Sequence, residues 1–184
     1  MANNLKIVQH NVLHWSGNRK IELSNYYQQE SPDIILLNST SIPDSERIKI
    51  FTYKIYQRNY LGENQAGVAI GVKYNIKHRV IDDFQEDLLG IELETSRGPI
   101  VIATTYLPPR RNYLPRNEIM RLMRRTLPVY LMGDLNARHH FLGHEDQNVK
   151  GTSLNNLINQ GHISHLGPDF STLTVRRGRP DIVL

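Results

Sequence analysis

Short apolar runs recur along this chain, most of them bounded by Gly, Pro, Asn or Asp. Leu5–Val12 (LKIVQHNV) predicts a first strand, and Ile34–Leu37 a second, fully apolar one. Phe51–Arg58 alternates apolar with polar, as a half-buried strand does. Gly67–Val72 (GVAIGV) is small and apolar throughout and predicts a central strand, while Val80-Ile81 and Leu88–Leu93 predict shorter ones. Ile100–Tyr106 (IVIATTY) predicts a strong strand that Pro108-Pro109 cannot continue. Val129–Met132 predicts another, and short β runs return at Ser171–Val175 and Asp181–Leu184. Helical patterns occupy Lys20–Glu30, stopped by Ser31-Pro32-Asp33, then Pro115–Arg125 and Thr152–Gln160, the last stopped by Gly161.

Strands outnumber helices and alternate with them, which predicts one mixed α/β domain with two packed mixed sheets and helices outside. The length, 184 residues, suffices for one sizeable core, and 39% hydrophobic with 22% charged residues is a globular composition. Lys and Arg number 22 against 18 acids, a net charge of +4 that suits a polyanionic partner without requiring one. The absence of cysteine excludes disulfides and thiolate metal sites. No apolar run is long enough to span a bilayer, and MANNLKIVQH lacks the basic-then-apolar pattern of a signal peptide. Asn38-Ser39-Thr40 matches a glycosylation sequon, read here as chance.

The chemistry concentrates in Pro128–His140, PVYLMGDLNARHH. An apolar strand reaches Gly133, and Asp134 and Asn136 follow two positions apart, a spacing that aims two side chains the same way at a strand's end. Crevices at the carboxyl ends of strands are where α/β sheets keep their sites. A carboxylate that can hold a metal or activate a water, beside a carboxamide that can donate to a phosphate oxygen, suits phosphate-ester hydrolysis. The same residues are also common in turns. Other strand ends carry polar groups as well: Asn11, Tyr106, and Asp181 within RPDIVL. Taken singly, Asn11 reads equally as a turn residue, Tyr106 as a half-buried core tyrosine, and Asp181 as a strand-start residue with a structural hydrogen bond.

In order, Asn, Tyr, Asp-x-Asn and Asp resemble the endonuclease/exonuclease/phosphatase superfamily, with GDLNARHH similar to its G-D-[FL]-N-A/V-x-H signature. Tyr106–Pro109 (Y-x-P-P), GVAIGV and RPDIVL are similar to the endonuclease domains of LINE-type (non-LTR) retrotransposons, above all the arthropod I-like and jockey-like elements. The resemblance implies a four-layer α/β sandwich of DNase I type, two packed mixed β-sheets flanked by helices. It implies a metal-dependent DNA endonuclease that nicks target DNA and leaves a 3′-hydroxyl to prime reverse transcription. The cofactor it implies is Mg²⁺ or Mn²⁺. The partners it implies are double-stranded DNA and a reverse transcriptase domain of the same polyprotein, with no membrane. The place of action would be the nucleus, after synthesis in the cytoplasm and without secretion. Carried over residue by residue, Asp134 orients or deprotonates the attacking water. Asn136 hydrogen-bonds the scissile phosphate and helps hold Asp134. Asn11 sits by the metal and the phosphate, Tyr106 donates to a phosphate oxygen, and Asp181 orients a catalytic histidine. Asn11 and Asp134 are thus the expected metal neighbours.

Two departures stand out. Where the family pattern Q-E-T places a metal-binding Glu, this chain reads Asn38-Ser39-Thr40, and Ser39 occupies the Glu position. A hydroxyl is a poor substitute for a carboxylate on Mg²⁺. Residues 1–184 are read as a single domain of this type whose C-terminal Ser-Asp-His segment is lacking, the last run being cut at Leu184.

Basic residues cluster in three places: Arg110-Arg111, Arg121 with Arg124 and Arg125, and Arg176-Arg177-Gly178-Arg179. Arg124 and Arg125 read as a solvated helix end. Arg110, Arg111, Arg176, Arg177 and Arg179 flank strand ends and are candidate DNA contacts, together with Arg138 and His139 near Asn136. RRGR reads equally as a solvated turn. His139, His140, His144, Glu145 and Asp146 match no specific metal spacing and read as solvated loop residues. Two rival functions remain open: a nucleic-acid-binding module that kept the fold and lost cleavage, which Ser39 favours, and a phosphoesterase of small or lipid phosphates, which the arginines disfavour.

Overall fold

A computed structural model describes residues 5–59, 66–84, 88–166 and 182–183. Two sheets face one another. The first runs in the order β1 (Ile7–Asn11), β2 (Ile34–Asn38), β4 (Gly67–Lys73), β3 (Tyr53–Asn59). The second runs β5 (His78–Ile81), β6 (Leu88–Thr95), β7 (Gly98–Tyr106), β8 (Val129–Asp134), β9 (Ile182–Val183). Each sheet has one parallel pair, β1 with β2 and β7 with β8, and antiparallel neighbours elsewhere. A parallel pair needs a crossover, and helices supply both. Helix α1 (Gly17–Glu30) links β1 to β2, and α2 (Arg116–Met123) links β7 to β8. Helix α3 (Val149–Asn159) follows β8.

Strand periodicity sorts the core into three layers. Ile34, Leu36, Val68, Ile70 and Val72 face Leu89, Ile91, Leu93, Ile102 and Tyr106 between the sheets. On the outer face of the first sheet, Ile35, Leu37, Ala69 and Tyr53 pack with Tyr27 of α1. On the outer face of the second, Val101, Ala103 and Leu131 pack with Ile119 and Leu122 of α2 and Leu154 and Leu157 of α3. The expected four-layer sandwich is therefore the fold, and no described helix is long and apolar enough to cross a membrane.

The element ends differ from expectation where local hydrogen bonds decide them. Helix α1 begins at Gly17, three residues before the expected Lys20, because Ser16 takes the extended N-cap conformation. Helix α3 begins at Val149 instead of Thr152, because the Asn148 side chain caps it by accepting from the Gly151 N–H. Phe51-Thr52 form a turn before β3, with Thr52 at φ +72°. Strand β8 continues past Met132 through Gly133 to Asp134, and its Tyr130 is exposed. Gly133 is required there, since a Cβ would stand 2.0 Å from the Thr105 carbonyl oxygen. The sequon residue Asn38 is wholly buried.

Candidate active site at the strand ends

The alternation that fills the inter-sheet core with apolar side chains turns polar toward one end. On β1 the inward register that starts at Ile7 reaches Gln9 and Asn11; on β2 it reaches Asn38, on β7 Thr104 and Tyr106, and on β8 Asp134. All are at or near the carboxyl ends of the two parallel pairs. Here Asn11 Nδ2 donates to Asp134 Oδ2 at 2.8 Å, joining the two sheets across 123 residues of sequence. The second carboxylate oxygen, Oδ1, accepts from the Asn136 N–H at 2.9 Å. Asp134 is nearly buried, at 4% exposure.

Asn136 does not share a strand face with Asp134, as its spacing suggested. It lies beyond β8 at φ +46°, and the Asp134 carboxylate closes the turn by accepting its N–H. Its side chain donates from Nδ2 to the Leu107 carbonyl at 3.0 Å, while the Leu107 N–H donates to the Asp134 carbonyl at 2.9 Å. GDLN therefore forms a turn, and the same turn holds the Asp134 carboxylate in place. Tyr106 is Asp134's register partner and packs in the inter-sheet core at 8% exposure.

The exits of β1 and β2 are bound to each other. The N–H groups of Val12, His14 and Trp15 donate to the carbonyls of Asn38, Ser39 and Thr40. Leu13, His14, Ser39, Ser41 and Asn136 all have positive φ, five of the seven such non-glycine residues among those described. Backbone strain of this kind gathers at functional sites. The Asn38 side chain donates to Thr104 Oγ1 and the Thr105 carbonyl and accepts from Gln9, and so ties the sheets together. Ser39 is buried next to it.

Among the described residues no group of three or more His, Asp or Glu could hold a metal ion. The donors present are fewer. Asn11 Oδ1 is buried and accepts no hydrogen bond, and the same side chain bonds Asp134. An orphaned amide oxygen beside a carboxylate fits a hard cation such as Mg²⁺, which takes one or two protein oxygens and keeps most of its waters.

The expected DNA contacts are dispersed. Arg110 is exposed just past β7, and Arg111 lies with its guanidinium 5.4 Å from the Tyr113 ring centroid. Arg138 is paired with Asp146 at 2.7 Å. His140, Glu145 and Asp146 are exposed, as read, but His139 and His144 are buried; the His139 ring caps the following turn by accepting from the Phe141 N–H and stacks on the Phe141 ring. Arg125 is half-buried instead of fully solvated: it binds both oxygens of Asp83 and lies over Phe84. Arg176, Arg177, Arg179 and Asp181 lie outside the described residues.

Lys150, which sequence reasoning passed over, is buried in the first turn of α3 and donates to the Pro108 carbonyl at 3.0 Å. Burial pushes its ammonium down to about 8, against the nearby Asp134 carboxylate, which favours the charge, and with Arg111 and Arg138, which disfavour it. Its signal was its place four before Leu154 and seven before Leu157, on the helix's buried stripe.

The endonuclease/exonuclease/phosphatase family model matches residues 8–183. The RNA-directed DNA polymerase from mobile element jockey of Drosophila funebris is 26% identical over 150 residues, 79% of this chain and 16% of the relative. Its Drosophila melanogaster counterpart is 23% identical over 149 residues, with the same shares. The match therefore spans about a sixth of these relatives' length. The endonuclease domain of TRAS1, a telomere-specific non-LTR retrotransposon, superposes with a TM-score of 0.78 at 18% identity, over 98% of this chain and 84% of that one. An AP endonuclease from Archaeoglobus fulgidus gives a TM-score of 0.65 at 13% identity, over 98% and 86%.

Proposed function

The chain belongs to the endonuclease/exonuclease/phosphatase family, and from that premise we propose that it is the DNA endonuclease domain of a non-LTR retrotransposon. The likeness to the jockey polymerases and to the TRAS1 endonuclease domain supports the element type. The observation that carries the chemistry is the Asn11–Asp134 bond across the sheets, with its orphaned amide oxygen.

In this reading Asp134 orients the attacking water and accepts its proton. The Asn11 amide and the Asn136 N–H hold one carboxylate oxygen each, so the base is fixed before substrate arrives. Asn136 has one Nδ2 hydrogen committed to Leu107 and offers the other to the scissile phosphate. Tyr106 donates its hydroxyl to a non-bridging oxygen. Asn11 Oδ1 and Asp134 are the groups that would hold a divalent cation. Bound there, it would neutralise charge developing on the phosphate oxygens. Arg110 and Arg111 offset backbone phosphates beside the cut. The nick leaves a 3′-hydroxyl, which serves reverse transcription by another domain of the same polyprotein.

Ser39 favours one second reading, a DNA-binding module of the same fold without cleavage. Nicking of supercoiled plasmid in Mg²⁺ or Mn²⁺, with EDTA and Asp134→Ala as controls, separates the two. Cleavage lost in both controls, with nicks that a DNA polymerase extends directly, is the expected result. Non-extendable nicks overturn the 3′-hydroxyl assignment. Binding with steep salt dependence and no nicking in either metal establishes the binding module instead.

A further inference from the structure

Among the described residues Lys150 is the one buried lysine or arginine, at 2% exposure, and it lies under the site. Its Nζ donates to the carbonyl of Pro108. The residue before Pro108, Leu107, bonds Asp134 through its N–H and Asn136 through its carbonyl. The neighbours of Lys150 grip the other side of the same turn. Asn148 donates from Nδ2 to the Asn136 carbonyl at 2.8 Å and accepts from the Arg138 N–H at 3.1 Å. Gly151 lies so close to Arg138 that a Cβ would stand 1.8 Å from its carbonyl oxygen. Residues 148–151 therefore touch both the exit of β7 and the turn after β8. A buried ammonium costs more than an apolar side chain of similar length, so packing alone does not explain a lysine here. Carbonyl and ammonium make a directional, charge-assisted bond that a methionine cannot replace.

We propose that Lys150 is a positioning residue of this site: bonded to Pro108, it locks the exit of β7 against the Asp134–Asn136 turn and so holds the catalytic pair in register. This rests on the roles proposed for Asp134 and Asn136.

The test compares wild type, Lys150→Met and Lys150→Arg with Val149→Ala, an exposed neighbour on the same turn. Three quantities are read: thermal unfolding, hydrogen exchange at the Asn136 and Arg138 amides, and kcat and KM for plasmid nicking in Mg²⁺. Lys150→Met is expected to unfold no lower than wild type, because it removes a buried charge. Its two amides exchange at least about tenfold faster and its kcat falls about ten- to hundredfold with KM little changed, the scale of losing a supporting contact behind a catalytic group. Lys150→Arg recovers part of both; Val149→Ala changes neither. Unchanged exchange in Lys150→Met overturns the proposal, as does faster exchange with unchanged kcat. Should Lys150→Met not fold, the same readings on Lys150→Gln decide. A wild type that never nicks, with amides that still loosen in Lys150→Met, refutes the nuclease reading while leaving the lock in place.

Discussion

Replacing Asn148 by alanine removes three hydrogen bonds at one half-buried position. The side chain accepts from the Gly151 N–H at 2.8 Å, capping α3, and from the Arg138 N–H at 3.1 Å; it donates to the Asn136 carbonyl at 2.8 Å. Loss of an N-cap costs about 1 kcal/mol. Each of the other two contributes about 1 kcal/mol net. Asn148→Ala should therefore destabilise the domain by about 3 kcal/mol, or about 2 kcal/mol if water replaces one partner. Asn148→Asp keeps both accepted bonds and gains from a negative charge at a helix N-terminus, but sets an oxygen in place of the donor facing the Asn136 carbonyl. It should cost about 1 kcal/mol or less. Urea unfolding followed by circular dichroism reads the difference: at about 2 kcal/mol per molar, the alanine midpoint drops by about 1.5 M and the aspartate midpoint by about 0.5 M. The contrast between the two variants is the sharper quantity, since the backbone bond from Asn148 N–H to the Arg138 carbonyl survives in both. If the two fall within about 0.5 kcal/mol of each other, or alanine costs less than about 1 kcal/mol, the clamp does not hold this turn and the reasoning fails.

Other expectations follow from the same geometry. The Lys150 ammonium is pushed down to about 8 in the folded protein from an ordinary 10.5, so the unfolded chain binds more protons between those values and wild-type stability should rise across pH 8 to 10.5 by about 3 kcal/mol relative to Lys150→Met; urea titrations at both ends check it, and a pH-independent difference refutes it. Ser39→Glu should raise Mn²⁺ affinity, read by calorimetry, because it adds a carboxylate one residue past the Asn11–Asn38 register pair. The strain of φ +56° is already borne by Ser39 and so is not new in the variant; unchanged affinity would place the cation elsewhere. Gly133→Ala should cost about 3 kcal/mol or more, because its Cβ would sit on the Thr105 backbone and part β7 from β8; a midpoint within error of wild type contradicts that packing. Arg110→Ala should lower the salt slope of plasmid binding by about one, whatever the DNA sequence, as loss of a phosphate contact does.

Local pattern was enough for much of this molecule. Apolar runs marked the strands, Pro108-Pro109 marked the end of β7, and Gly161 at φ +71° marked the end of α3. Gly-Asp-Leu-Asn marked the turn at the candidate site, because a tight turn after a buried strand favours those residue types wherever it occurs. What a linear pattern cannot hold is which strand end meets which. Asn11 and Asp134 face one another only because two crossover helices bring both parallel pairs into opposed sheets, polar ends together. The same limit hid Lys150 and His139, polar side chains that composition assigns to solvent and that the fold buries. Lys150 is held by a carbonyl 42 residues away at the exit of β7, and His139 is buried where it caps the turn at Phe141. A period of two along each strand is enough to say which side chains turn inward. What they meet there depends on the packed layers, since hydrogen bonds across long separations form once burial has offset the entropy of closing the chain between them.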